Sequence, residues 1–207
     1  MTDSIPDPAR VARMVRIPAG RFLSGSLNTP VVLGEYWIDR YPVTNADFAQ
    51  VFPEHRYTPR RAQHPVTWVA WSRTRDYLAA LGLQLPSQPQ WEKAARGCDG
   101  YLYPWGMDHD PRRFNVFESD VRETTAVTAY EPSGASPYGV VDLAGNVWEW
   151  TATAEALEAG EVGEGRIVCG GSHEMSWFEM QSGMATQDVL RADLGYATVG
   201  FRGVWMP

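Results

Sequence analysis

The sequence is poor in cysteine, in long apolar runs and in net positive charge, and each shortage excludes a class of protein. Cys98 and Cys169 are its only cysteines, and two isolated cysteines provide neither a disulfide framework nor a structural zinc site. No stretch approaches the roughly 20 apolar residues of a membrane-spanning helix. The formal net charge of −7 gives no counterion-release energy for nucleic-acid binding and repels anionic lipid. We therefore expect neither nucleic acid nor membrane as a partner.

The amino terminus and the composition indicate where the protein works and how its core is built. The first ten residues lack the apolar centre of a signal peptide, so we expect a cytoplasmic protein. Nine tryptophans, 19 glycines and 15 prolines suit an irregular core that a few large side chains cover and many turns connect.

Local patterns predict a few short helices among strands and turns. Thr44 is a suitable cap for a helix over 45–52, and a second helix is expected over 72–81. The capping-box pair of Ser87 and Gln90 predicts a third helix that ends at Gly97. Strand-like runs lie at 14–17, 21–25, 31–33, 36–39 and 147–151.

The chain is expected to form one domain. Residues 1–13 hold few apolar groups and are predicted to be a flexible tail, and 14–207 then form the single domain. The glutamate-rich stretch over 155–164 is interrupted by glycines, which favours a solvated loop.

Eight short motifs occur in a fixed order along the chain. They are VRIPAGRF at 15–22, YPVTN at 41–45, HPVTWVAW at 64–71, LPSQPQWEKAARG at 85–97, YPWG at 103–106, PYGVVDLAGNVWEW at 137–150, GGS at 170–172 and GFR at 200–202. This series resembles the formylglycine-generating-enzyme, or sulfatase-modifying-factor, domain. The resemblance implies an α+β, C-type-lectin-like fold with two to three short helices, twisted antiparallel sheets and long loops.

The catalytic enzymes of this family have cysteines three and eight positions after the Ser of Gly-Gly-Ser, where this chain has Met175 and Met180. A thioether cannot be deprotonated, so it offers no thiolate to copper and forms no mixed disulfide. We therefore assign no catalytic residue. Weak ligation of Cu(I) by methionine stays an alternative to hydrophobic packing. Cys169, just before the glycines, is expected to be a buried, packed thiol.

The family resemblance also implies a calcium site. Asn146, Val147 and Glu149 resemble a segment that holds calcium in the enzymes, and their oxygens are suitable hard ligands. The alternative is that Asn146 and Glu149 hydrogen-bond the backbone within a tryptophan-rich core. No other cofactor is expected.

The segment over 173–199 shows no clear period through its first dozen residues and mixes aromatic, methionine and charged side chains. That mixture is typical of a contact surface, although packing beneath a loop is the alternative. The segment resembles the hypervariable stretch in variable proteins of diversity-generating retroelements, which lies between Gly-Gly-Ser and a closing Gly-Phe-Arg. Their framework motif Arg-Ser-Ala-x-Arg is reduced here to Ser182.

The resemblance to variable proteins implies a non-catalytic protein that binds an unknown protein or small-molecule ligand through this segment. Hydrophobic contact area is expected from Met175, Trp177, Phe178, Met180 and Met184. Directional hydrogen bonds are expected from His173, Glu174, Glu179, Gln187, Asp188 and Arg191. The alternative function is a diverged copper-dependent oxidase of peptidyl cysteine or a related sulfatase-modifying-factor enzyme.

Overall fold

The computed structural model describes residues 7–179 and 186–207. Its helices are α1 (Pro8–Val11), α2 (Asn45–Val51), α3 (Trp71–Ala80) and α4 (Gln88–Arg96). Its strands are β1 (Met14–Ile17), β2 (Gly20–Ser24), β3 (Thr29–Leu33), β4 (Tyr36–Asp39), β5 (Trp148–Glu155), β6 (Gly165–Cys169), β7 (Gln187–Arg191), β8 (Val199–Gly200) and β9 (Val204–Trp205). No helix in these two described ranges has the length and apolar character needed to cross a membrane.

Three small sheets organise the strands. The largest has the order β7-β6-β5-β8, in which β5 and β8 are parallel and the other neighbours antiparallel. A second sheet has the order β1-β4-β9, and β2 and β3 form a separate antiparallel hairpin. The helices and the mostly antiparallel strands, which long loops connect, confirm the predicted α+β architecture.

The three main helices lie close to where the sequence predicts them. Thr44 caps α2, because its hydroxyl accepts a hydrogen bond from the backbone N–H of Asp47 at 3.1 Å. The helix α3 begins one residue earlier than expected and ends at Ala80. The capping box of Ser87 and Gln90 is present at the start of α4.

Charged residues of α4 are buried with its apolar face. Besides Trp91, Ala94 and Ala95, the helix buries Glu92, Lys93 and Arg96 almost completely. Arg96 donates a hydrogen bond to Glu92 at 2.6 Å, and Lys93 donates to carbonyl oxygens of the β1–β2 turn and the start of β2. The buried charges are therefore paired or hydrogen-bonded, as burial in a low-dielectric core requires.

The closing Gly-Phe-Arg motif is anchored in the centre of the molecule. Arg202 is fully buried and donates from Nε and Nη2 to the two carboxylate oxygens of Glu149, each at 2.7 Å. The indole N–H of Trp91 donates to the same carboxylate at 2.7 Å. These charge-assisted contacts connect the carboxy-terminal motif to β5 and α4.

The domain begins earlier than the sequence indicates. Residues 1–13 are predicted to be a flexible tail, but Arg10 donates a hydrogen bond to the buried carboxylate of Asp39 at 2.7 Å. The backbone N–H of Gly203 donates to the same carboxylate oxygen at 2.9 Å. The predicted boundary at Met14 is therefore wrong for the described part of that tail, which packs on the domain through a long-range ion pair.

Candidate functional site

The chain turns sharply after β6, at the Gly-Gly-Ser motif. Gly170 has φ of 100°, and a Cβ atom there would lie 3.0 Å from the ring of Trp91 and from the carbonyl oxygen of Leu143. Only glycine allows this approach. The turn brings His173 next to Asn146, whose carbonyl oxygen accepts from the backbone N–H of His173 at 3.0 Å and lies 2.8 Å from its Nδ1. A carbonyl can only accept, so Nδ1 carries a proton.

The residues that follow form one half of a loop pair, which we define as residues 117–124 and 173–179. The backbone N–H of Phe117 donates to the carbonyl oxygen of Met175 at 3.0 Å. The carboxylate of Glu118 accepts hydrogen bonds from the hydroxyl of Ser176 and, at 3.1 Å, from the backbone N–H of Trp177. These bonds hold the two loops together as one surface.

An aromatic patch, formed by His109, Phe117, Trp177 and Phe178, lies on this surface. The Trp177 ring packs over the His109 ring, with centroids 4.2 Å apart, and meets the edge of the Phe178 ring at 5.8 Å. Phe178 is 62% exposed and Phe117 47% exposed. Trp177 also packs against the core, so it supports the more exposed ring of Phe178.

A polar cleft of about 390 Å³ adjoins the loop pair. The residues that matter for its chemistry are Tyr57, Arg61, Trp68, Arg122, Glu123 and His173. Arg61 pairs with the carboxylate of Glu123 and donates to the hydroxyl of Thr124 at 2.9 Å. The guanidinium group of Arg122 lies 4.5 Å from the ring centroid of Phe117, so the cleft and the aromatic patch are contiguous.

Strained backbone is concentrated around this cleft. Six non-glycine residues within 7–179 and 186–207 have positive φ, and two of them, Trp68 (60°) and Arg122 (61°), line the cleft. Asp120 (56°) pairs with Arg122, and Asn146 (61°) holds His173. Residues held in the left-handed region cost free energy and cluster at functional sites. Four of the six positions around one cleft therefore mark it as the candidate site.

Trp68 is held in its conformation by contacts from a distant part of the chain. The backbone N–H of Trp68 donates to the carbonyl oxygen of Tyr196 at 2.8 Å. A Cβ atom on Gly195 would lie 2.5 Å from the carbonyl oxygen of Trp68, so the two backbones are in close contact. The indole is nevertheless 72% exposed. Sequence reasoning missed Trp68, Tyr57, Arg61 and Arg122 as site residues, because non-local contacts bring them to the cleft and no local pattern identifies them.

The predicted ligand-binding residues separate into two places. His173 lines the cleft, and Glu174, Met175, Trp177, Phe178 and Glu179 lie in the loop pair. Gln187, Asp188 and Arg191 lie on the edge strand β7, whose two ends are roughly 13 Å apart at the usual rise per residue. Met180 and Met184 lie outside the described residues.

Two of the edge-strand side chains are engaged locally. The carboxylate of Asp188 accepts a hydrogen bond from the backbone N–H of Val189 at 2.7 Å, and Arg191 pairs with the exposed carboxylate of Asp193 at 2.7 Å. Arg191 stands opposite Gly165, at the far end of β6 from the Gly-Gly-Ser turn. The structure therefore groups the loop residues with the cleft and leaves the distal half of β7 apart.

The residues proposed for calcium do not fit that ion. Both carboxylate oxygens of Glu149 accept hydrogen bonds, as described for Arg202 and Trp91, and Oδ1 of Asn146 accepts from the backbone N–H of Thr125 at 2.9 Å. Oδ1 of Asn115 is buried without a hydrogen-bond partner, but one neutral oxygen falls far short of the six to eight that calcium takes. The hydrogen-bonding alternative fits Asn146 and Glu149 better, and the side chain of Val147 is buried beside them.

The described residues also contain no group of three or more His, Cys, Asp or Glu side chains that could hold a metal ion. Both cysteines lie outside the loop pair. Cys98 is exposed and lies 3.3 Å from the hydroxyl of Tyr138. Cys169 is buried at the end of β6, and burial raises the pKa of its thiol well above the usual value, with Glu92 and Glu149 adding to the rise. A thiol in that environment stays protonated and unreactive.

Solved structures that share this fold include CarF and a variable protein. The crystal structure of CarF matches with a TM-score of 0.77 at 20% identity, over 93% of this chain and 97% of that protein. Treponema denticola variable protein 1 matches with a TM-score of 0.77 at 19% identity, over 94% of this chain and 95% of that protein. Identities this low show a shared fold, and the predicted fold class is confirmed.

Curated relatives include both an enzyme and an inactive homologue. The inactive C-alpha-formylglycine-generating enzyme 2 of Bos taurus is 28% identical over 70% of this chain and 71% of that protein. The formylglycine-generating enzyme of Thermomonospora curvata is 40% identical over 44% of this chain, which is 34% of that enzyme. The model of the sulfatase-modifying factor enzyme 1-like domain matches residues 2–207. With this match over almost its whole length, the chain belongs to the sulfatase-modifying factor enzyme 1-like domain family.

Proposed function

We propose that this protein is a non-catalytic binding protein, which recognises a protein or small-molecule ligand through the loop pair and the adjoining cleft. We further propose that it is a variable protein of a diversity-generating retroelement, with its variable segment over 173–199. The alternative within the family, a diverged copper-dependent oxidase of peptidyl cysteine, needs a reactive thiolate or an equivalent redox centre.

The observation that supports binding without catalysis is the environment of Met175. This residue stands where the family's first cysteine would stand, it is half-buried, and it packs against the core. Its backbone N–H donates to Ser172 at 3.1 Å and its carbonyl oxygen accepts from Phe117. The position therefore has a packing role, and a thioether supplies no nucleophile at neutral pH.

The aromatic patch supports a contact function. A phenylalanine side chain gains about 1.5–3 kcal/mol when it is fully buried, and Phe178 leaves most of that gain unrealised at 62% exposure. Exposed aromatic rings supported by a second aromatic layer are typical of the residues that dominate binding energy at interfaces. The hydrogen bonds that Ser176 and Trp177 donate to the carboxylate of Glu118 fix the backbone beneath the patch, which lowers the entropy that binding would cost.

The retroelement proposal rests on the sequence order and on the fold shared with a variable protein. Adenine-directed variation at Asn-type codons ending in a pyrimidine can produce His, Phe, Asp and Arg but not Met or Trp. The exposed Phe178 and Asp188 are therefore open to such variation, whereas Met175 and Trp177, which pack against the core, would be fixed. Such codons also cannot produce the exposed Glu174, Glu179 and Gln187, so these three residues would need Lys-type template codons or be fixed.

The coding DNA tests this proposal. We expect a near-copy of the codons for 173–199 close to the gene, with differences at adenines, and a reverse transcriptase gene beside it. The codons for 64–97 serve as the matched control, because they encode scaffold and should have no second copy. A locus with neither template nor reverse transcriptase would contradict the retroelement assignment and leave a binding domain of the same fold.

A further inference from the structure

We propose that the cleft beside Trp68 binds a carboxylate group, supplied by an acidic side chain of a protein partner whose neighbouring apolar residue covers the aromatic patch. This inference rests on the proposed binding function and names the chemistry of the ligand. The carboxylate-binding side chains, Tyr57, Trp68 and Arg122, lie outside the segment 173–199, so the proposal assigns this part of the site to the scaffold, whereas Trp177 and Phe178 of the aromatic patch lie within the segment.

The charge of the cleft favours an anion. The whole chain has a net charge of −7, yet three guanidinium groups, of Arg60, Arg61 and Arg122, lie in or beside the cleft. Two carboxylates oppose them: Glu123 pairs with Arg61 and lies 3.9 Å from Arg60, and Asp120 accepts from Nε of Arg122 at 2.8 Å. A third carboxylate, that of Glu174, lies 4.0 Å from Nε2 of the cleft-lining His173, so the attraction for an anion comes from the guanidinium nitrogens that no carboxylate occupies.

Arg122 is the guanidinium group best placed to meet a ligand. Only its Nε has a hydrogen-bond partner among the described residues, and its two terminal nitrogens have none. The ring of Phe117 lies 4.5 Å beneath it, so the planar group is oriented before any ligand arrives. An arginine with both terminal nitrogens available suits the paired oxygens of a carboxylate.

Further unoccupied donors line the same cleft. The indole N–H of Trp68 and the hydroxyl of Tyr57 form no hydrogen bond with any residue in the described part of the chain, and both rings are exposed, 72% and 39% respectively. Polar groups of that kind match an acceptor-rich ligand, and the rings provide apolar area for the methylene groups next to a carboxylate. The strained backbone of Trp68 keeps its indole in this position.

A selection experiment tests the proposal with random peptides displayed on phage, using the whole protein as target. We expect the selected peptides to be enriched in Asp or Glu next to an apolar residue. In fluorescence polarisation with one labelled selected peptide, replacing its acidic residue by the amide should weaken binding about ten- to hundredfold, as expected for one charge-assisted contact. Arg122→Gln in the protein should cause a similar loss.

The control variant is Arg21→Gln, which removes an exposed arginine of β2 that does not line the cleft, and it should bind as the wild type does. Competition with inorganic phosphate separates a protein ligand from a small anion, because phosphate that displaced the peptide at equal concentration would overturn the choice of a protein partner. Neutral selected peptides, or full binding by Arg122→Gln, would overturn the carboxylate site itself.

The same experiment keeps this inference separate from the proposed function. Binding that survives Arg122→Gln but is lost in Phe178→Ala would refute the carboxylate site and leave the loop pair as the binding surface. A library that yields no peptide bound to either place would count against both proposals. Each variant's thermal midpoint should equal that of the wild type, since both side chains are exposed.

Discussion

Asp142 gives a direct test of the buried polar network behind the cleft. It is 6% exposed, and its carboxylate accepts a hydrogen bond from Nδ2 of Asn146 at 2.7 Å. Burial raises the pKa of Asp142 from 3.8 to about 7, and Glu149 adds to the rise, whereas the hydrogen bond from Asn146 and the charge of Arg202 oppose it. The charged form is therefore disfavoured in the folded protein.

The size of the effect follows from linkage. A carboxyl group whose pKa is higher in the folded state contributes stability that is complete below the unfolded pKa of 3.8 and is lost as the pH rises to about 7. A difference of about three pKa units corresponds to about 4 kcal/mol at 1.36 kcal/mol per unit. Asp142→Asn removes this titration, keeps an oxygen that can accept from Asn146, and suits the φ of 59° at this position.

Urea unfolding of the wild type and of Asp142→Asn measures the difference. We expect the two proteins to have equal free energies of unfolding at about pH 4. At about pH 8 we expect the variant to be more stable than the wild type by about 4 kcal/mol. Asp39 also has a raised pKa because of burial, but it is the same in both proteins and cancels in the difference. A gap that does not change between the two pH values would refute the assignment of this titration to Asp142.

Three further predictions follow from the same contacts. Glu149→Gln leaves the buried guanidinium of Arg202 without a counter-ion, and we expect a loss of about 3 kcal/mol in urea unfolding; a loss under about 1 kcal/mol would contradict a central role for this pair. A thiol reagent should modify Cys98 rapidly in the native protein and Cys169 only after unfolding, and equal rates would show that Cys169 is accessible. Glu118→Ala should speed hydrogen exchange of the Trp177 amide, which donates to Glu118, and leave the thermal midpoint nearly unchanged, whereas unaltered exchange would mean that other contacts hold the loop.

Much of the fold could be predicted because its signals are local. The capping box of Ser87 and Gln90 needs only neighbouring residues, so the start of α4 was readable from the sequence. The burial of Glu92 and Arg96 could not be predicted from the neighbouring sequence, since both hydrogen-bond to the β2–β3 hairpin, about seventy residues earlier. The ion pair of Arg10 was missed for the same reason.

The candidate site shows the same division between local and long-range information. The absence of the family's cysteines is visible in the sequence at Met175, and it is the reason for predicting a binding site in the segment after Gly-Gly-Ser. The partners of that segment could not be predicted, because Glu118 and Trp68 are more than fifty residues away from it in the sequence and only the fold brings them close. Trp68 has its positive φ where Gly195 and Tyr196 contact its backbone, and no propensity of tryptophan predicts it.

The most direct test of binding without catalysis is an oxygen-uptake measurement. The protein is loaded with copper and incubated in air with a sulfatase-type peptide that contains one cysteine, beside an active formylglycine-generating enzyme as the control. We expect no oxygen uptake above the buffer rate and a peptide thiol that stays intact by mass spectrometry, while the control consumes both. Conversion of the peptide cysteine by this protein would contradict the proposal that its loop pair only binds.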